Sequence, residues 1–463
     1  MRFSDRPITA RAAMTAVLLA GATGILGGCG AHQDTRSERV VLVTIDTLRY
    51  EEFAGDDSTP SAMPRTRAFA ERGLVFESSF SATSTTQPSH ASLMTGLHPW
   101  QHGVTQNGHF LGADLETLAE RLRAAGYSTR AVVSSFPLER RFGFAQGFEH
   151  YEDRFGRAIG KDVWMGQPLD ERRFYALANR TTRLALSALE EQDDQDLFLW
   201  VHYFDPHDPY GDCHLGRGEP LPPDGTFSVE RLRSSAARED EDLAALVQRS
   251  REAYRCDLGF LDEGLGRLLE RLEADSRRFT THVVITADHG ESFGEDGSFG
   301  HGTRLTPPQV RVPLAIVSPR VAPALRRDAA GSVDVFATLL DLADQPVPPG
   351  RGRSLLRPAG PEQGSAFGMR RTYLLPKADR RSDGTVRYVS EPSFYAVLEG
   401  KLLTGGPEGT IYVAPGGRLE EPARVREMHQ LFRRFAEELE RRPAQALDDV
   451  DVLEALEALG YAR

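Results

Sequence analysis

The chain has 463 residues, which is enough for one large domain with a smaller appendage. Its formal net charge is −12 and its pI is near 5.6, and it contains no run of basic residues. This charge argues against a nucleic-acid-binding surface, so no nucleic-acid partner is expected.

The first 29 residues have the pattern of a secretory signal. Arg2, Arg6 and Arg11 precede an apolar run (12–26) that is too short to span a bilayer but suits a signal peptide. Two glycines directly before Cys29 resemble a bacterial lipobox, which predicts cleavage there and a lipid on Cys29. An ordinary signal peptide with a chance cysteine is the alternative. We expect a lipid-anchored membrane protein of the bacterial cell envelope, facing the periplasm or the outside.

Two further cysteines follow the signal. If Cys29 is lipidated, Cys213 and Cys256 remain as an even pair in an oxidising compartment, where a disulfide can form. The sequence leaves their pairing open. Residues 30–38 are mostly polar and are expected to form a tether.

Strand-like and helix-like stretches alternate over residues 39–345. The run Val40–Ile45 is apolar and β-branched and ends at Asp46, as is typical of a strand buried on both faces. Further strands are predicted at 74–80, 128–134, 196–203, 280–286 and 314–318, and helices at 63–72, 89–95, 115–125, 172–191, 237–272 and 333–343. No regular structure is predicted for 151–168. The alternation predicts an α/β domain with a large, mainly parallel sheet flanked by helices.

The composition changes to proline, glycine and arginine around residues 346–357, where we place a boundary. Beyond it, short strands are predicted at 388–389, 394–398 and 411–414, a charged amphipathic helix at 425–441 and a helical tail at 452–459. These elements predict a smaller C-terminal α+β subdomain over residues 346–463.

A hydroxyl-rich stretch, residues 83–103, is the first candidate for chemistry. Thr86 stands two residues before Pro88, at or just before the predicted start of a short helix, where free backbone N–H groups favour an anion. One interpretation is a simple N-cap that satisfies an orphan donor. The other is a nucleophilic hydroxyl.

Polar side chains follow three of the predicted strands: Asp46, then Asp205 with His207, then Asp288 with His289. Parallel strands place these groups at one edge of the sheet. Two carboxylates, an imidazole and a hydroxyl suit a divalent cation, and the imidazole favours Zn²⁺ or Mn²⁺ over Ca²⁺. Such an ion could generate an alkoxide from a threonine hydroxyl and offset charge on an ester.

Several motifs together resemble the sulfatase family of the alkaline-phosphatase-like superfamily, over nearly the whole mature chain. They are VVLVTIDTLR (40–49), TQPSHASLMTGLHPWQHGV (86–104), VHYFDPHDPY (201–210), TADHGESFGEDGSFGHG (286–302), RVPLAIVSP (311–319) and LEALGYAR (456–463). The resemblance implies a sulfatase-like fold and an enzyme that acts on anionic esters.

The resemblance also implies roles for individual residues. The family's nucleophile falls on Thr86. Its substrate-contacting histidine falls on His207, and a basic residue beyond the second metal pair falls on His301. The implied metal ligands are Asp46, Thr86, Asp288 and His289; the implied catalytic residues are Thr86, His207 and His301; and the expected substrate contacts are His90 and His202. For His202, a hydrogen-bonded core histidine is the alternative.

Four positions depart from the family pattern. Sulfatases oxidise Cys or Ser to formylglycine, which Thr86 cannot become. His90 stands where the family has arginine, so a guanidinium fork for the anion is lost. Thr47 replaces the second aspartate of an Asp-Asp pair, and His289 replaces an asparagine. This pattern resembles the branch of phosphodiesterases and lipid phosphoethanolamine transferases, in which threonine itself takes the phosphoryl group.

The sequence therefore predicts a metal-dependent hydrolase of sulfate or phosphate esters that works through a covalent Thr86 intermediate. The substrate is expected to be an anionic ester of a lipid, a glycan or a small molecule. One alternative is a phosphoryl-group transferase of the phosphoethanolamine-transferase type, and another is an inactive binding lipoprotein. A second metal ion, held by Asp205 and His301, is a further alternative.

Overall fold

The computed structural model describes residues 36–155, 163–164, 167–168, 174–192, 194–239, 242–359, 364–371, 392–414 and 417–442. The predicted signal peptide, Cys29 and most of the predicted tether lie outside these residues. So do the strand predicted at 388–389 and the helical tail predicted at 452–459. Among the residues described, no helix is both long enough and apolar enough to cross a membrane.

Strands occur along most of the described chain. They are β1 (Ser37–Ile45), β2 (Leu74–Phe76), β3 (Ser79–Phe80), β4 (Ser128–Val132), β5 (His150–Glu152), β6 (Val163–Trp164), β7 (Gln167–Pro168), β8 (Leu197–Tyr203), β9 (Phe279–Ala287), β10 (Ser292–Phe293), β11 (Phe299–Gly300), β12 (Leu314–Val317), β13 (Ala324–Arg326), β14 (Ala330–Gly331), β15 (Ala366–Arg370), β16 (Ser393–Leu398), β17 (Lys401–Gly405) and β18 (Tyr412–Val413).

Helices connect most of these strands. They are α1 (Tyr50–Ala54), α2 (Pro64–Ala70), α3 (Thr86–Thr95), α4 (Pro99–His102), α5 (Leu118–Ala124), α6 (Ala178–Glu190), α7 (Cys213–Arg217), α8 (Val229–Ala237), α9 (Leu243–Ala274), α10 (Pro307–Val310), α11 (Ser332–Leu342) and α12 (Pro422–Glu440).

The large sheet has eight strands in the order β13-β2-β12-β9-β1-β8-β4-β5. Strands β9, β1, β8, β4 and β5 pair in parallel, whereas β12 is antiparallel to both β9 and β2. The apolar, β-branched composition of β1 fits its central position, because the strand is covered on both faces and Val40 to Val43 are fully buried. The predicted α/β architecture with a mainly parallel sheet is confirmed.

Three predictions of local structure were wrong in part. The helix predicted at 172–191 begins only at Ala178, since Tyr175 forms an isolated bridge with Ser135. The helix predicted at 237–272 corresponds to α9, which begins only at Leu243 and ends at Ala274, and the separate helix α8 (Val229–Ala237) before it was not predicted. Within the region predicted as loop, β5 adds an edge strand to the large sheet.

The C-terminal elements form a second, antiparallel sheet in the order β15-β16-β17-β18, with α12 packed beside it. Trp100 of α4 enters this packing, and its ring stacks on Phe435 of α12 at 4.1 Å between centroids. Aromatic pairs of this kind add to the burial energy of their area. The small sheet is thereby anchored close to the segment that carries Thr86.

Cys213 and Cys256 form a disulfide that ties α7 to α9, with their Cα atoms 5.8 Å apart. This answers the pairing that the sequence leaves open. His214 lies beside the two sulfur atoms, but sulfur atoms bonded to each other are not thiolate ligands, so this group is not a metal site.

Candidate active site

The three central strands end in register at the same edge of the large sheet. Ile45 pairs with Tyr203 on one side and with Ala287 on the other. The residue after each of β1 and β9 is therefore an aspartate at the same level, Asp46 and Asp288. The convergence expected from parallel strands is present in the structure.

Asp46 and Asp288 are fully buried and incompletely paired. Both carboxylate oxygens of Asp46 and Oδ2 of Asp288 lack a hydrogen-bond partner among the described residues, although buried polar atoms normally have one. Burial, reinforced by the charges of neighbouring acids such as Glu291, raises the pKa of both carboxyl groups well above the usual value. A bound cation would stabilise two buried carboxylates of this kind.

His289 is oriented as a ligand toward the same point. Its Nδ1–H donates to the carbonyl of Gly290 at 3.0 Å, which leaves the lone pair on Nε2. That atom lies 3.5 Å from Oδ2 of Asp288 and 3.8 Å from Oδ1 of Asp46. One ligand atom from each of these three residues fits within a cluster less than 4.8 Å across. The donor set therefore fits a divalent metal ion.

Thr86 is the first residue of α3, and Thr85 occupies the N-cap position. The N-cap interpretation of Thr86 therefore does not hold. The Thr86 hydroxyl is buried and its Oγ1 lies 3.4 Å from Nε2 of His289. The positive end of the α3 macrodipole also points toward this position, which favours an anion.

His90 and His202 lie beneath the site and bond to protein groups. Nδ1–H of His90 donates to the carbonyl of Thr86 at 2.9 Å, and its Nε2 accepts from the hydroxyl of Thr44 at 3.1 Å. That hydroxyl also lies 3.0 Å from Nε1 of Trp200 and 3.2 Å from Nδ1 of His202. The arrangement supports the first turn of α3 from below, and the predicted substrate contacts of both histidines stay predictions.

His207 and His301 lie on the other side of the cluster, with their ring centroids 4.9 Å apart. The ring of His301 is also 4.5 Å from that of His289. Its Nδ1 lies 3.2 Å from Oε1 of Glu291, a fully buried carboxylate that the sequence reasoning missed. Glu291 stands two residues after His289, and its position in the Asp-His-Gly-Glu motif was the available signal.

Burial governs the protonation of most of these histidines. It lowers the pKa of His90 to about 4 and holds the pKa values of His202, His207 and His289 well below the usual range. These four imidazoles are therefore neutral near pH 7.

Asp205 has a structural contact. Its Oδ1 accepts a hydrogen bond from the backbone N–H of Ala178 at 2.7 Å, at the start of α6. Burial raises the pKa of its carboxyl group to about 7. Among the described residues, the groups that could hold a metal ion do not include Asp205 or His301, so the second metal site stays a prediction.

Asn107 is a further polar group that sequence reasoning missed. Its Oδ1 accepts from the backbone N–H of Gln87, the residue after Thr86, at 2.8 Å. Its Nδ2 is buried and has no hydrogen-bond partner within the described chain. No sequence pattern separates this asparagine from an ordinary loop residue. A buried amide donor that no described residue uses, close to the start of α3, is suited to an anionic oxygen.

Comparison with known proteins identifies the family of the chain. Residues 38–345 match the sulfatase family. The choline-sulfatase of Rhizobium meliloti (strain 1021) is 26% identical over 361 residues, which are 67% of this chain and 68% of that protein. The chain therefore belongs to the sulfatase family, which is a class of enzymes that hydrolyse ester bonds.

Two solved structures share the fold. A protein in complex with D-glucosamine-2-N,6-O-disulfate superimposes with a TM-score of 0.67 and 19% identity, covering 88% of this chain and 98% of that one. The phosphonate monoester hydrolase of Silicibacter pomeroyi gives a TM-score of 0.65 and 20% identity, covering 88% and 96%. Sulfur and phosphorus ester chemistry thus both occur on this scaffold.

Proposed function

We propose that this member of the family is a metal-dependent hydrolase of singly charged sulfate or phosphorus esters, with Thr86 as its nucleophile. The observation that carries the proposal is the position of Thr86 Oγ1, 3.4 Å from Nε2 of His289 in a buried site with two underpaired carboxylates. Asp46, Asp288 and His289 would hold the ion, with Thr86 beside them. His in the set favours Zn²⁺ or Mn²⁺ over Ca²⁺.

The charge of the site supports a monoanionic substrate. A divalent ion balances the carboxylates of Asp46 and Asp288, and the buried imidazoles around them are neutral. A sulfate monoester, a phosphodiester or a phosphonate monoester carries one negative charge, whereas a phosphate monoester carries nearly two at pH 7. In this pocket, fewer cations would be available to neutralise the second negative charge of a phosphate monoester.

The chain's own residues define the chemical steps. When bound, the ion lowers the pKa of the attacking hydroxyl and offsets charge on the ester oxygens. Thr86 Oγ1 gives its proton to solvent water and attacks the central atom. The Thr86–ester bond forms as the bond to the leaving group breaks, and the leaving group takes up a proton and departs as the alcohol. Asn107 Nδ2 donates to an oxygen of the transferring group. Water then cleaves the bond to Thr86 and releases sulfate or the phosphorus acid.

The leaving alcohol needs a proton, and His301 is the better placed of the two candidates. Its Nδ1 faces the buried carboxylate of Glu291, and this contact orients the imidazole ring of His301. His207 uses Nδ1–H on the carbonyl of Asp208 at 2.7 Å, and burial disfavours a second proton on that ring. We therefore assign proton donation to His301 and a supporting contact to His207.

A panel of substrates tests the proposal. Purified enzyme supplied with Zn²⁺ or Mn²⁺ is assayed on four substrates. They are 4-nitrophenyl sulfate, 4-nitrophenyl phosphate, bis(4-nitrophenyl) phosphate and 4-nitrophenyl phenylphosphonate. Thr86→Ala should lower kcat by more than about 10³-fold on the active substrates, since the nucleophile is lost. Thr85→Ala is the matched control, because the adjacent hydroxyl is 3.5 Å from Thr83 Oγ1 and makes no cap bond to α3.

Three outcomes would count against the proposal. Full activity of Thr86→Ala would show that Thr86 is not the nucleophile. A preference for the dianionic phosphate monoester would contradict the charge argument. Metal-loaded protein without turnover of any ester would favour a binding lipoprotein. Glycerol or ethanolamine added as an acceptor separates hydrolysis from transfer, because a transferase would yield the new ester in place of the free acid.

The cellular setting is part of the proposal. We infer from the lipobox at Cys29 that the enzyme is anchored by a lipid to the bacterial envelope, facing the periplasm or the outside. Its substrate would then be an anionic ester of a lipid, a glycan or a scavenged small molecule. Radiolabelled palmitate incorporation by the full chain and by Cys29→Ala tests this; label on both proteins would overturn it.

A further inference from the structure

Arg370, the last residue of β15, lies between two segments that border Thr86. The backbone N–H of its neighbour Met369 donates to the carbonyl of Ala82 at 3.0 Å, just ahead of the hydroxyl-rich stretch. The Nε–H of Arg370 donates to the carbonyl of Gly302 at 2.6 Å, on the loop that carries His301. The small C-terminal sheet thus brings a guanidinium to the rim of the active site.

The two segments are in close contact at this point. A Cβ atom at Gly302 would lie 3.0 Å from Cγ2 of Thr85, so the loop and the start of α3 approach each other directly. The guanidinium that holds Gly302 therefore sits near both the nucleophile and the proposed proton donor. Because His301 is the proposed proton donor to the leaving alcohol, the alcohol portion of the substrate is expected at this rim.

Arg370 differs in its partners from the buried Arg49 and the half-buried Arg326. Arg49 pairs with Glu295 at 2.6 Å and Arg326 pairs with Asp328 at 2.7 Å. In the described part of the chain, no carboxylate lies within salt-bridge distance of Arg370, and its charged neighbour is another cation, Arg304. Burial lowers the pKa of Arg370 to about 10, so the group is still charged at neutral pH.

We propose that Arg370 binds a second anionic group on the alcohol portion of the substrate. A half-buried guanidinium that pairs with no carboxylate of the described residues, in a chain of net charge −12, would be stabilised by an acidic ligand. The inference rests on the proposed function and adds the substrate class: an ester whose alcohol carries a carboxylate, a sulfate or a phosphate. Arg304, exposed nearby, strengthens the local positive potential.

The test compares two esters that differ by one charge. The 4-nitrophenyl and 3-carboxy-4-nitrophenyl esters of the acid that the enzyme hydrolyses are assayed with wild type, Arg370→Gln and Arg370→Lys. Arg370→Gln should lower kcat/KM for the carboxylated ester by about 10-fold to 100-fold, and change that for the plain ester less than about threefold. Arg370→Lys should keep part of the preference, because it keeps the charge.

Controls separate charge recognition from folding. Arg327→Gln removes an exposed arginine that pairs with Glu77 and should leave both rates unchanged. If Arg370→Gln does not fold, Arg304→Gln takes its place and should reduce the same preference by a smaller factor. Equal loss on both esters would show that Arg370 only positions the His301 loop, and would overturn the inference.

Binding distinguishes this inference from the proposed function. Calorimetric titration of both esters into Thr86→Ala, with and without Arg370→Gln, reads the preference without turnover. A preference for the carboxylated ester that Arg370→Gln removes would support the subsite even if wild type hydrolyses neither ester. Equal affinity for the two esters in Thr86→Ala would reject the subsite, even if turnover of the plain ester is normal.

Discussion

The Nε2 atom of His289 lies 3.5 Å from Oδ2 of Asp288, a carboxylate oxygen with no hydrogen-bond donor in the described structure. Both groups offer lone pairs and neither offers a proton to the other. Two such acceptors are adjacent at low cost only when a cation lies between them or when the carboxyl group is protonated.

The first prediction concerns Asp288→Asn and metal removal. Because burial raises the pKa of Asp288, the metal-free wild type should lose stability as pH rises above the unfolded value of 3.8. Asp288→Asn lacks this charge. Without metal, its Tm should be higher than that of wild type at pH 8, and the difference between the two Tm values should be smaller at pH 5. Thermal unfolding with chelator and with Zn²⁺ measures both effects.

Added Zn²⁺ should raise the Tm of wild type and leave that of Asp288→Asn nearly unchanged, since binding to the native state stabilises it by mass action. Asp57→Asn, at an exposed aspartate, serves as the control and should respond to Zn²⁺ as wild type does. An equal Tm increase in Asp288→Asn would mean that the ion binds elsewhere.

The second prediction concerns Asn107. Asn107→Asp keeps the oxygen that accepts from Gln87 N–H, but replaces the unpaired Nδ2 donor by a negatively charged oxygen. We expect kcat/KM to fall by about 10²-fold or more, because a donor to the anion is lost and a like charge is added. Steady-state kinetics with unchanged metal content would support this, and an unaltered kcat/KM would exclude the contact.

The third prediction concerns His301 and its partner Glu291. If His301 protonates the leaving alcohol, His301→Gln should slow esters of a poor leaving group such as phenol far more than those of 4-nitrophenol. The ratio of the two effects should be about tenfold or larger, since a good leaving group departs without a proton. Glu291→Gln should show the same selectivity in weaker form, because it acts through the orientation of His301.

His207→Gln is the comparison for that experiment. We expect His207→Gln to lower the hydrolysis rates of the phenyl and 4-nitrophenyl esters by similar factors. The reason is that Nδ1–H of His207 already donates to the carbonyl of Asp208. If His207→Gln rather than His301→Gln discriminates between the leaving groups, the assignment of the proton donor has to be exchanged.

The fourth prediction concerns Asp205, whose carboxyl pKa is raised to about 7 by burial. A raised folded-state value means that the native protein holds the proton more tightly, so this group costs stability as pH increases from 3.8 to about 7. Asp205→Asn keeps an acceptor for Ala178 N–H and carries no charge. Its free energy of unfolding relative to wild type should rise by up to about 4 kcal/mol between pH 4 and pH 8.

Denaturant unfolding at the two pH values measures that difference. The experiment also bears on the second metal site. If Asp205 binds an ion together with His301, added Zn²⁺ at pH 8 should reverse the order of stability. If the order is unchanged by Zn²⁺, Asp205 acts only at the start of α6.

The central fold could be predicted because its signals are local. An apolar run such as Val40–Ile45 identifies a strand buried on both faces, and a polar residue at its end identifies the functional edge. Helix boundaries were predicted less accurately than the helices themselves. Helix α9 was predicted to begin at residue 237 but begins at Leu243, and the separate helix α8, which ends at Ala237, was not predicted.

The candidate site was predictable to the extent that it follows strand ends and motifs. Asp46, Thr86, Asp288 and His289 do come together, as expected from that reasoning. Glu291 and Asn107 were missed because their importance depends on which atom each one faces. Thr44 was missed for a related reason: within an apolar strand, nothing in the sequence reveals that its hydroxyl bonds to two histidines and a tryptophan.

The register of the central strands has a consequence for how the protein acquires its activity. The backbone N–H of Thr47 donates a hydrogen bond to Oδ1 of Asp288, 241 residues further along the chain. This contact therefore closes a very long loop. Pairings of such separation form late and slowly. Catalytic competence should therefore appear only after β9 has docked beside β1, and refolding followed by turnover should lag behind refolding followed by helix content.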